Sequence, residues 1–114
     1  MSKPVLHLFH ADAASLATVP ALAERLHQAT DSGKPALEVY VFGPAEAALS
    51  AGDQAPFNAQ VDALVKQGVR VTTCIGLAQK AGAEASFRTR GIALESAADA
   101  FPRFADEAAT VITF

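Results

Sequence analysis

One cysteine, Cys74, is the strongest nucleophile among the residues placed where chemistry is expected. It directly follows the β-branched run Val69-Arg70-Val71-Thr72-Thr73 and precedes Ile75 to Ala81, a short helix closed by Gly82. A thiol at that junction lies beside the first backbone N–H groups of the helix. Their unpaired donors and the positive end of the dipole favour an anion. Cysteines so placed commonly titrate below the free value of about 8.5, giving more thiolate at neutral pH. The competing reading is a buried structural thiol, because free cysteine is among the most buried residue types. Ile75, Leu77 and the neighbouring valines make the surroundings apolar, and burial disfavours the thiolate.

The other chemistry-bearing residues offer less. His7 and His10 are three apart on a predicted strand, so they point to opposite faces and cannot chelate one metal together. His27 lies on a predicted helix with no Cys or His at ligand spacing. Each reads as a satisfied structural or surface histidine, and neither a metal site nor a cofactor is expected. Asp12 and Ser15, with His10, could form a hydrolase set. No Gly-x-Ser-x-Gly elbow is present, however, and Ser15 reads as loop or helix-cap chemistry. Gly43-Pro44 gives one glycine where a phosphate loop needs several. Arg88 and Arg90 share one side if their segment is extended, and would then face an anionic group or partner. A solvated surface pair is the plainer reading.

The elements that must position these residues alternate from end to end. Val5–Phe9 reads as a strand, and a helix with Pro20 in its first turn runs from about Thr18 to Thr30. Asp31-Ser32-Gly33-Lys34-Pro35 is a stop-and-turn cluster. Leu37–Phe42 is the second strand, and a short helix follows from Ala45 to Leu49. Phe57, Val61, Leu64 and Val65 mark the clearest helix, which Gly68 ends. After the strand and short helix around Cys74, Gly91–Leu94 is a weaker strand. A helix then starts near Asp99, which leaves Pro102 in its first turn, and Thr110–Phe114 is the last strand. Such alternation implies right-handed βαβ crossovers and a parallel sheet covered on both faces. In an open parallel sheet ligands gather outside the carboxyl ends of the strands. The positions that matter are therefore His10 to Asp12, Gly43, Cys74, Glu95 to Ser96, and the C-terminus.

Composition narrows the function classes. The 114 residues suit one domain; half are hydrophobic and 18% are charged, too few for a disordered tail. A net charge of −3 argues against a nucleic-acid or anionic-membrane surface. No apolar run approaches the roughly 20 residues needed to span a bilayer. The N-terminal apolar stretch stops at His7, too early for a signal peptide. A single cysteine cannot form an intramolecular disulfide, which fits a reducing compartment, so a cytoplasmic location is expected.

The run Gly68-Val69-Arg70-Val71-Thr72-Thr73-Cys74-Ile75-Gly76-Leu77-Ala78-Gln79-Lys80-Ala81-Gly82 resembles the strand–cysteine–short helix segment of the DsrE/TusD-like sulfur-relay family. The ending, Gly91 to Leu94 and then Ala108 to Phe114, is similar to that family's last strand–helix–strand unit. The likeness covers roughly residues 36 to 114. It implies a three-layer α/β/α domain with a mainly parallel five-stranded sheet, assembled as an oligomer, with a homotrimer or hexamer expected. It also implies that Cys74 carries sulfane sulfur as a persulfide, between sulfur donor and acceptor proteins or thiols. Two departures stand out. The loop His10 to Ser15 lacks the usual glycine-bearing turn, and the segment between Gly82 and Gly91 is short. The alternative is a noncatalytic oligomeric domain that binds a small ligand or regulates a partner, with Cys74 retained for packing.

Overall fold

The computed structural model describes residues 3–29 and 36–114. The expected turn at 31–35 and the expected helix end at position 30 lie outside the described residues. Five strands, β1 (Pro4–Leu8), β2 (Glu38–Val41), β3 (Arg70–Thr73), β4 (Ala93–Leu94) and β5 (Thr110–Thr113), form one sheet in the order β4-β3-β2-β1-β5. Every pairing is parallel, with Leu6 opposite Val39, Val39 opposite Val71, and Val5 opposite Val111. The expected strands at Leu37–Phe42 and Val69–Thr73 therefore lie side by side with a helical crossover between them.

The helices are α1 (Ala13–Gln28), α2 (Ala55–Lys66), α3 (Ile75–Lys80), α4 (Glu84–Thr89) and α5 (Ala97–Asp106). The first three crossovers step one way across the sheet, and the last returns from β4 to β5 at the opposite edge. Right-handed connections running in opposite directions cover opposite faces. One face buries Leu6, Leu8, Val39, Val41 and Val71 against side chains of α1, α2 and α4, among them Leu16, Val61 and Phe87. The other buries Val5 and Tyr40 beneath Ala100 and Phe104 of α5. The period of two along β1 and β2 explains the division, since neighbouring residues point to opposite faces.

Four local expectations are corrected. Helix α1 starts at Ala13 rather than near Thr18, because Asp12 caps it. The Asp12 carboxylate accepts from the Ser15 amide at 3.0 Å and the Ser15 hydroxyl at 2.8 Å. Pro20 is consequently a buried interior residue of the helix, not a first-turn one. Likewise α5 starts at Ala97 under a Ser96 cap, the Asp99 amide donating to Ser96 Oγ at 3.2 Å, which places Pro102 inside the helix. Each interior proline forgoes one helical hydrogen bond. The residues expected to form a short α-helix from Ala45 to Leu49 form a 3₁₀ segment, Pro44–Ser50. Between Gly82 and Gly91, where no element was expected, α4 forms, and its Arg88 pairs with Glu84 one turn earlier at 3.0 Å.

Candidate functional site

Two chain segments meet at the carboxyl ends of β2 and β3. After β2 the backbone turns at Gly43, which has φ +93°. A Cβ there would lie 2.5 Å from the Phe9 ring, so only glycine fits. The turn lets Ala45 N–H donate to the Phe9 carbonyl at 3.0 Å and lays the 3₁₀ segment across the strand ends. After β3, Cys74 is the N-cap residue of α3, with extended backbone angles of −73° and 122°.

Cys74 stands where the sequence places it, at the end of an inner strand and the start of a helix. Its surroundings are largely closed. The residue is 8% exposed, and its side chain makes no capping hydrogen bond to α3. The sulfur sits over Gly76, where an added Cβ would be 3.9 Å from Sγ.

The backbone of Cys74 is held by a residue that sequence reasoning passed over. Glu46, on the 3₁₀ segment, accepts the Cys74 N–H at Oε1 with a distance of 3.1 Å. Its side chain is buried, and its other oxygen, Oε2, is shielded from solvent and has no hydrogen-bond partner. Burial pushes this carboxyl above the usual range, opposed by the Thr73 hydroxyl and the Cys74 amide. Thr73 already donates its single hydroxyl hydrogen to the Val41 carbonyl at 2.7 Å. A cavity of about 310 Å³ adjoins Glu46, between the 3₁₀ segment and the pair α3–α4.

Tyr40 lies on the α5 face of the sheet. It is fully buried and donates to the Glu95 carbonyl at 3.0 Å. Burial raises its phenol, and the neighbouring Cys74 and Glu46 raise it further. The Glu95 amide donates to Thr73 O at 3.0 Å and ties the end of β4 to that of β3.

The remaining candidates do not converge on Cys74. His7 lies on the α5 face, its Nδ1 3.1 Å from Thr113 Oγ1 and its ring edge-on to Phe101. Its Nε2 is buried without a partner, and burial, then His10, lowers its pKa. His10 and Asp12 are exposed beyond β1, and Asp12 is committed with Ser15 to capping α1. His27 sits in the last turn of α1. Arg88 and Arg90 do not share an extended side. Arg88 pairs with Glu84 on the surface, whereas Arg90 binds Asp62 at 2.8 Å, the Leu49 carbonyl at 2.7 Å and Asn58 at 2.9 Å. Arg90 thus fastens α4 to α2 and the 3₁₀ segment. Among the described residues no group of three or more His, Cys, Asp or Glu is placed to hold a metal ion, and no helix is long and apolar enough to cross a membrane.

No protein-family model matches the chain, and no curated protein matches it in sequence. Solved structures do share its architecture. A conserved protein of unknown function from Bacteroides thetaiotaomicron, BT1422, superposes with a TM-score of 0.79 at 9% identity, over 98% of this chain and 95% of that one. MTH1491 of Methanobacterium thermoautotrophicum, also of unknown function, gives 0.79 at 17% identity with both chains covered in full. The ychN protein from E. coli gives 0.69 at 20% identity, again over the whole of both chains. The chain therefore has the same parallel, five-stranded α/β/α fold as these three proteins.

Proposed function

We propose that this chain is a persulfide-carrying subunit of the sulfur-relay type, with Cys74 as the carrier. The observation that carries the reading is the position of Cys74, at the carboxyl end of the inner strand β3 and the first turn of α3. The motif from Gly68 to Gly82, similar to the cysteine segment of DsrE/TusD-like proteins, supports it. In the transfer, the Cys74 thiolate attacks the outer sulfur of a donor persulfide. A new S–S bond forms, the donor S–S bond breaks, and the donor leaves as a thiolate. An acceptor thiolate then attacks the outer sulfur of the Cys74 persulfide and releases the Cys74 thiolate. Each step moves one sulfane sulfur with no net oxidant. Donor and acceptor are thiols or the cysteines of partner proteins.

Assembly as a homotrimer or hexamer belongs to the same proposal. Strand β5 is an edge of the sheet, and its Val111 and Ile112 are 37% and 46% exposed. An uncharged edge without proline invites pairing or cover. Incubation of the native protein with a sulfane-sulfur donor should add the mass of one sulfur atom, and Cys74→Ser should remove that gain.

A second reading is favoured by the burial of Cys74 and its unused capping position. In it the thiol is packing and the chain is a noncatalytic binding or regulatory domain. A Cys74 that resists modification until the protein is unfolded replaces the first reading with this one.

A further inference from the structure

The cavity beside Glu46 is lined by Pro44 and Ala47 of the 3₁₀ segment, Leu77 of α3 and Ala81 just past its end, and Phe87 of α4, with Ser50 at its polar side. It lies at the carboxyl ends of β2 and β3, where open α/β sheets bind ligands. Its volume of about 310 Å³ sits at the lower end of the range for small-molecule sites. A cavity of about 150 Å³ admits benzene, so a two-ring molecule is the appropriate scale.

The one ionisable group in the wall is Glu46, and it narrows the chemistry. The carboxyl bridges from the 3₁₀ segment to the start of α3, with Oε1 occupied by the Cys74 amide and Oε2 unpaired. Among the lining residues there is no lysine, arginine or histidine to receive an anion. Apolar walls disfavour any ion that is not paired. A hydroxyl is the group that suits Glu46 in either protonation state, since it donates to a carboxylate and accepts from a carboxylic acid. Oε2 is shielded by its own surroundings, so contact requires a rotation of the carboxyl within its site.

We infer that this cavity is a binding site for a compact, uncharged, largely apolar molecule bearing a hydroxyl, anchored by Glu46. The site is independent of sulfur chemistry, because neither its walls nor its anchor includes the Cys74 thiol.

Three probes of one shape test it: 2-naphthol, 2-naphthoate and 2-naphthylmethylammonium, each titrated into the full chain and followed by NMR with the glutamate carboxyls labelled with carbon-13. The expected result is a 2-naphthol dissociation constant of roughly 0.1–1 mM with a perturbed Glu46 signal. The two ions should bind at least tenfold more weakly. Ala47 is exposed on the 3₁₀ segment, so Ala47→Phe should fill the cavity without disturbing the core and weaken 2-naphthol at least tenfold. Glu46→Gln should narrow the discrimination against 2-naphthoate. Equal affinity for all three probes, preference for the ammonium, or binding indifferent to Ala47→Phe would each overturn the inference. Cys74→Ser should leave 2-naphthol binding intact while abolishing persulfidation, which separates this result from the fate of the sulfur-carrier reading.

Discussion

Two buried carboxyls, at opposite ends of β2, have opposite fates. Glu38 opens the strand at the amino end of the sheet and is fully buried. Lys3 donates to it at 2.7 Å, Arg103 donates at 2.6 and 3.1 Å, and the Thr72 hydroxyl adds a bond of 3.1 Å. Burial pushes the Glu38 carboxyl up, but its hydrogen bonds from Arg103 and Lys3 outweigh it, and the net shift is downward. Glu46, just past the carboxyl end, receives one amide and keeps an unpaired oxygen, so burial prevails and its shift is upward. The difference teaches which end of the sheet is built for stability. A carboxylate that is fully hydrogen-bonded holds elements together, whereas one left with an unused oxygen beside a cavity retains capacity for a ligand.

The largest expected effect breaks the comparison at Glu38. Glu38→Gln removes the charge that pairs with both Arg103 and Lys3, and it should destabilise the fold by about 3 kcal/mol in urea denaturation. That figure is the low end for broken buried pairs, because the two cations are 23% and 18% exposed and water can reach them. A loss under about 1 kcal/mol would mean that the network contributes only as a surface pair does.

The pH dependence should separate the two carboxyls by sign. Glu38 is held below its ordinary value of 4.5 in the fold. Its contribution is therefore complete above pH 4.5 and is lost as pH falls through its lowered folded value. Glu46 is held above 4.5, so its contribution is complete below that pH and is lost as pH rises through its raised folded value. Stability profiles of Glu38→Gln and Glu46→Gln should flatten opposite limbs of the wild-type curve. Flattening of the same limb by both would refute the assignment.

The smallest expected effect is the direct one at Glu46. Glutamine keeps an acceptor for the Cys74 amide and removes a charge that burial disfavours. At pH 8 Glu46→Gln should lie within about 1 kcal/mol of wild type, on the stabilising side.

Much of the fold was legible because strands and turns carry local signals. The β-branched runs ending at Thr73 and Thr113 and the apolar run from Leu37 to Phe42 each yielded a strand, and their alternation with helical segments implied the parallel sheet. Helix starts were misread where proline was weighed above capping. Asp12 with Ser15, and Ser96 with Asp99, are the cap pairs that decided the starts of α1 and α5. Pro20 and Pro102 are tolerated inside because tertiary packing offsets the lost bonds. Helix α4 had a signal that was missed, the Glu84–Arg88 spacing of one turn. Cys74 was found because its type and its strand-end position coincide. Glu46 was not, since a glutamate in an alanine-rich segment reads as solvated until the fold turns that segment inward at Gly43. Its burial is a tertiary property with no local signature. Glu38 offered a faint one, a charge within an otherwise apolar strand, whose alternation places it on the face of Tyr40 and Phe42.

Among the described residues helix α5 is the only α-helix over one side of the sheet, and that has a dynamic consequence. Its apolar anchor is short, Ala100 and Phe104 over Val5 and Tyr40, with Phe101 half-buried at the margin. Arg103 fastens it as well, reaching Glu38 and Glu95 from a single side chain. Release of α5 would separate fewer apolar side chains than release of α1 and α2, whose face holds the larger core. The protein is thus built as a strongly consolidated half and a lightly pinned one, with Arg103 as the pin. Local opening should begin at α5, laying bare Tyr40 and the aromatic side chains around His7 while the α1–α2 side of the sheet stays closed.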